Sequence, residues 1–157
     1  MKTLLCALAL AFATAHLLHA TAGKNNTGTV ISDLKVRFSG KEPELKGRAY
    51  VLEFWATWCP PCRTSIPHLN EIHQKYKDRG LEIIGVTKED RQTVRNFTKD
   101  VPIEYTVAHD TYGKLNDEFQ IKGIPHAMIV DKTGKIVWEG HPMSLPEAQL
   151  ESVLKAE

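Results

Sequence analysis

Tyr50-Val51-Leu52-Glu53-Phe54 is an apolar run broken by one acid, and it leads through Trp55-Ala56-Thr57-Trp58 into Cys59-Pro60-Pro61-Cys62. A run apolar at nearly every position reads as a strand covered on both faces, which belongs inside a sheet with helices on either side. The two cysteines fall on the first turn of the helix that follows, at a spacing that closes a disulfide with little backbone movement. The first sulfur is then expected to face outward. There the unpaired N–H groups and the positive end of the helix dipole stabilise its thiolate. Strand, turn and helix together point to disulfides passed to and from other molecules.

A chain of 157 residues has room for one compact domain, and a core of that size is stable without crosslinks. With 20 basic residues against 19 acidic and no run of like charge, there is no basic face to recruit nucleic acid or an anionic membrane. The N-terminal stretch differs in composition. Lys2 is its one charged residue, Leu4 to Leu18 is mostly Leu and Ala, and Ala20-Thr21-Ala22 supplies an A-x-A cleavage site. Residues 1–22 therefore read as a secretory signal peptide, followed by a small, polar and flexible lead-in over 23–29 and one domain over 30–157. Cleavage after Ala15 or Ala20 is also open. The competing reading is an uncleaved membrane anchor over residues 4–18, but that run contains His16 and falls short of the ~20 residues that span a bilayer. Cys6 leaves with this segment, so the exported chain keeps Cys59 and Cys62. A disulfide closing so short a loop stabilises little, and chemistry explains the pair better than stapling does.

Along the chain, Leu34, Val36 and Phe38 alternate with Lys35 and Arg37 and suggest a half-exposed strand, and 39–47 reads as a loop. The buried strand at 50–56 precedes a helix from about 60 to 78, whose Ile66, Leu69, Ile72 and Tyr76 form one apolar stripe. Pro67 lies inside that helix and Gly80 ends it. Leu81 to Val86 is a second buried strand. Asp90 caps a helix to about Lys99, and a short helix over 112–119 follows His109-Asp110. After Gly123-Ile124-Pro125 come the strand Ala127–Val130, a turn over 132–135, and a returning strand, Ile136-Val137-Trp138. Ser144-Leu145-Pro146-Glu147 has capping-box spacing and opens a final helix burying Leu150, Val153 and Leu154. Parallel strands need crossover helices, so the fold class is α/β, a central mixed sheet flanked by helices on both faces.

The stretch from Phe54 to Cys62, Pro67 beyond it, Gly123-Ile124-Pro125 before a strand, and Val130-Asp131-Lys132-Thr133-Gly134-Lys135-Ile136-Val137 together resemble the thioredoxin superfamily, in particular its exported TlpA/ResA-like thiol-disulfide oxidoreductases. The resemblance spans about residues 30–156. It implies that Cys59 is the nucleophile and Cys62 the resolving cysteine of a redox-active disulfide. It also implies that Pro125 is cis beside the sulfurs, and that Trp58, Pro60, Ile124 and Pro125 shape the surface that binds clients. Glu53 matches the buried acid of thioredoxin, and a buried carboxyl with a raised pKa is suited to take the proton that Cys62 must lose. The implied partners are disulfide-containing client proteins and a membrane-bound thiol reductant, with no cofactor and with the protein acting as a monomer.

One position departs from the pattern. Many TlpA/ResA-like proteins carry an acid three residues after the second cysteine, where this chain has Ser65. His126, directly after Pro125, has two readings: an imidazolium near the sulfurs that raises the oxidising power of the pair, or a strand-end residue partly in solvent. His68 and His73 read as surface residues of the first long helix, and His109 and His141 as loop residues unconnected to the site. Trp55 reads as packing, and the sequons at Asn25 and Asn96 matter only in a glycosylating host. An alternative function is copper(I) binding through Cys59, Cys62 and His126 or His141. A peroxidase is disfavoured because Thr57 stands one position too close to Cys59 for a P-x-x-x-T-x-x-C arrangement.

Overall fold

The computed structural model describes residues 25–156; the expected signal peptide and Cys6 lie outside the described residues. In chain order the strands are β1 (Arg37–Phe38), β2 (Tyr50–Phe54), β3 (Glu82–Thr87), β4 (Thr106–His109), β5 (His126–Val130) and β6 (Ile136–Gly140). The helices are α1 (Pro60–Tyr76), α2 (Arg91–Phe97), α3 (Lys114–Glu118) and α4 (Glu147–Lys155). The strands form one mixed sheet in the order β1-β4-β3-β2-β5-β6. β2, β3 and β4 run parallel, and β1, β5 and β6 each pair antiparallel to a neighbour.

Every residue of β2 is buried, because the strand is central and covered twice. Tyr50, Leu52 and Phe54 face one side, where they pack with Met128, Val130 and with Leu115 and Phe119 around α3. Val51 faces the other side, against Leu69, Ile72 and Tyr76 of α1 and Leu150 and Val153 of α4. Strand alternation puts Glu53 on the α1 side, beneath the cysteine-bearing turn.

Several sequence expectations change in detail. The alternation at Leu34, Val36 and Phe38 yields only the two-residue β1; Leu34 and Phe38 are buried all the same. β4 was not expected from the sequence, since its Thr106-Val107-Ala108-His109 is too short to show a period. Ser144 belongs to a 3-10 turn, Pro142–Ser144, and α4 begins after Pro146 with no side-chain cap, so the capping box does not form. Within the expected flexible lead-in, residues 25–29 are tied into the fold. Gly28 N–H donates to the Ile136 carbonyl at 2.7 Å, and Asn26 donates to Glu139 Oε1 at 2.8 Å and to the Phe119 carbonyl at 3.0 Å.

Candidate active site

Cys59 is the N-cap of α1, in extended conformation, with prolines opening the helix. Proline suits a first turn because its missing N–H has no intrahelical partner there. Cys59 and Cys62 form a disulfide with Cα atoms 5.3 Å apart. The Cys62 N–H points at Cys59 Sγ across 3.3 Å, so a helix-terminal donor is already aimed at the sulfur that carries negative charge once the disulfide opens. The sequence places the first sulfur facing outward; in the oxidised protein Cys59 is only 3% exposed and Cys62 0%. What stands out to solvent is Trp58, at 69%, with Pro60 and Pro61 exposed after it.

Ile124-Pro125 is a cis peptide, and Ile124 packs on the cluster that contains both cysteines, Trp55, Ile66, Val94 and Val107. In register Phe54 pairs with His126, which sets Pro125 beside the start of the cysteine loop. The two motifs far apart in sequence, Cys59–Cys62 and Gly123–Pro125, meet at one end of the sheet.

Glu53 is fully buried. Ser65 Oγ lies 3.1 Å from Glu53 Oε1, and Tyr105 donates its hydroxyl to Oε2 at 3.0 Å. Burial pushes the carboxyl up to about 7, against the opposing pull of those two hydroxyl donors. Tyr105 is held well above the ordinary tyrosine range by its own burial and by the charge of Glu53 beside it. At neutral pH this carboxyl is poised between its two protonation states.

A match to the AhpC/TSA family covers residues 37–139. Thiol-disulfide oxidoreductase ResA of Bacillus thuringiensis subsp. konkukian (strain 97-27) is 36% identical over 137 residues, 85% of this chain and 76% of that protein. ResA of Bacillus subtilis (strain 168) is 32% identical over 95 residues, 60% and 53% of the two chains. The chain is a thioredoxin-like thiol-disulfide oxidoreductase of the AhpC/TSA family. Among solved structures, a thiol:disulfide interchange protein of the thioredoxin family from Chlorobium tepidum TLS is similar at 32% identity and TM-score 0.57, covering 71% of this chain and 80% of that one. The thioredoxin domain of a thiol-disulfide oxidoreductase from Bacteroides vulgatus shares the fold, at 22% identity and TM-score 0.72 over 83% and 99% of the chains.

Four residues of this oxidoreductase site went unread in the sequence. Glu89, just past β3, accepts from the backbone N–H and the hydroxyl of Thr57, both at 2.7 Å, and so clamps the loop that presents Trp58 and Cys59. Arg63 of α1 grips the same loop by donating to the Thr57 carbonyl at 2.9 Å, and its guanidinium lies over Phe97, which tilts against Trp55. His109 is a buried strand residue, not a loop residue. One ring nitrogen lies 2.8 Å from the Glu89 carbonyl and the other 2.7 Å from Ser39 Oγ, which ties it to the site through Glu89.

The fourth is Gly85, which pairs with Glu53 across β2 and β3. A methyl group on Gly85 would stand 2.8 Å from Trp55 Nε1 and 3.0 Å from Tyr105 Cε2. The glycine thus makes room for the Tyr105 ring to reach Glu53. A glycine inside a buried strand, opposite the strand's one acid, was the available signal.

His126 points elsewhere. It shares a sheet face with Phe54 and Met128, opposite α1, and its Nε2 lies 3.3 Å from Glu139 Oε2. His141 accepts from the Met143 N–H at 3.2 Å. Among the described residues no group of three His, Cys, Asp or Glu side chains is placed to hold a metal. His68 and His73 are half-buried on α1 rather than fully exposed, and burial lowers His73 below the usual histidine range. A surface groove lined by residues such as Leu34, Leu45, Tyr50 and Glu82 opens at the start of the parallel strands. The cysteines lie past the C-terminal ends of those strands and do not line it.

Proposed function

We propose that this protein is an exported reductant of client disulfides. Cys59 thiolate attacks a client disulfide; a Cys59–client bond forms and one client sulfur leaves as a thiolate. Cys62 gives its proton to Glu53 and attacks Cys59 Sγ. The Cys59–Cys62 bond forms, the remaining client sulfur departs with the electron pair, and the client is reduced by two electrons. Trp58, Pro60, Ile124 and Pro125 hold the client chain beside the sulfurs. In an oxidising compartment a membrane-bound thiol donor must then reduce the pair again.

The observation that supports disulfide exchange at Cys59 is the helix-terminal N–H of Cys62 aimed at Cys59 Sγ, with the buried Glu53 carboxyl, raised to about 7, joined through Ser65 to the Cys62 carbonyl. The N-terminal residues 1–22 support export, and among the described residues no helix is long and apolar enough to cross a membrane. Direction is tested by equilibrium titration against glutathione. Potentials in this class of proteins range from about −270 to about −120 mV. A value toward the lower limit is expected; one near the upper limit would make the protein an oxidant and overturn the assignment as a reductant.

A further inference from the structure

The departure at Ser65 leads to a specific arrangement around Glu53. Ser65 is fully buried on α1, and its single hydroxyl hydrogen faces two acceptors, Glu53 Oε1 at 3.1 Å and the Cys62 carbonyl at 3.0 Å. Tyr105 faces the other carboxyl oxygen at 3.0 Å, with no competing acceptor among the described residues. A hydroxyl can donate once and accept twice. Among the described residues no cation acts on the buried carboxyl: what acts on it are these two hydroxyls and its own burial.

We propose that Ser65 and Tyr105 are positioning residues that set when Glu53 carries a proton, with Ser65 working as a rotor tied to that proton. When Glu53 is ionised, Ser65 turns its hydrogen to Oε1 and Tyr105 donates to Oε2, so both oxygens of the anion are satisfied. When the proton from Cys62 arrives on Oε1, the carboxylic acid becomes a donor. Ser65 then accepts from it and turns its own hydrogen to the Cys62 carbonyl, while Tyr105 goes on donating to Oε2. Neither state leaves a buried polar group unpaired, which is the costly alternative in an apolar interior. The serine takes the place of a second carboxylate without adding charge. It also links the protonation of Glu53 to the backbone of the cysteine it serves. Only the consequence for catalysis rests on the role of Glu53 proposed above; the rotor itself does not.

The test is carbon-13 NMR of the oxidised protein, following the Glu53 carboxyl and the Cys62 carbonyl from pH 5 to 9. In wild type the Cys62 carbonyl signal should titrate together with Glu53. In Ser65→Ala the Glu53 midpoint should rise by about one pH unit, the worth of one hydrogen bond to a charged group, and the Cys62 carbonyl should stop responding. Tyr105→Phe should raise the midpoint similarly but leave the Cys62 response in place. A Cys62 carbonyl flat across the Glu53 titration in wild type would refute the rotor, and so would an unmoved Glu53 midpoint in Ser65→Ala. The wild-type measurement needs no variant to fold. If these results hold while Glu53→Gln exchanges disulfides at the wild-type rate, the rotor stands and the role of Glu53 in the reaction fails.

Discussion

Glu53→Gln should stabilise the oxidised protein at high pH and not at low pH. The carboxyl titrates at about 7 in the folded chain against 4.5 as its ordinary value. Between those two pH values the native state holds a proton that the unfolded chain has released. Native stability therefore falls as pH rises, by about 1.4 kcal/mol for each pH unit across the window. The fall begins near 4.5, is complete above about 7, and totals about 3 kcal/mol. Gln has the same shape. Its amide can donate to Ser65 Oγ while Tyr105 donates to its oxygen, the pattern expected of the protonated acid, and it carries no charge to desolvate. Urea unfolding of both proteins at pH 4, 6 and 8, with the disulfide intact, measures the difference directly. The variant should be close to wild type at pH 4 and more stable by about 3 kcal/mol at pH 8. A difference that does not change between pH 4 and pH 8 would refute the reasoning, because the burial of Glu53 would then cost the folded state nothing.

Two further variants probe the frame around the cysteines. Gly85→Ala should destabilise by about 1–3 kcal/mol, since its methyl must displace Trp55 or Tyr105; an unchanged urea midpoint would contradict the close packing over Glu53. Glu89→Ala removes both 2.7 Å bonds to Thr57 and should cost about 1–3 kcal/mol while speeding hydrogen exchange at the Thr57 amide, and undiminished protection at that amide would exclude the clamp.

The elements with a strong period or a long apolar run were legible in the sequence: β2, α1, β3 and the β5–β6 hairpin stand where their patterns placed them, within a few residues. So did the meeting of the cysteines with Ile124 and Pro125, although that came from the resemblance to the thioredoxin superfamily and not from spacing. Elements held by long-range contacts were not legible. β4 is four residues long and gains its place by pairing with β3 and β1. The Ser144 capping box failed because Pro142 and the His141 side chain organise a 3-10 turn there instead. Ser65 was recognised as a departure, but the carboxyl it bonds lies on β2 and the Tyr105 that shares that carboxyl lies just before β4, and no local pattern names either. The same holds for Glu89 and His109, polar residues whose value lies in what the fold brings next to them. His126 turned away from the sulfurs because strand alternation places it on the face opposite α1.

The central claim is that Cys59 attacks and Cys62 resolves. Mapping trapped adducts by mass spectrometry, with Cys62→Ser and Cys59→Ser compared in the native compartment, tests it most directly. Cys62→Ser should accumulate mixed disulfides with client proteins through Cys59, and Cys59→Ser should accumulate few or none. Equal yields from the two variants, or adducts carried mainly by Cys62, would contradict the account.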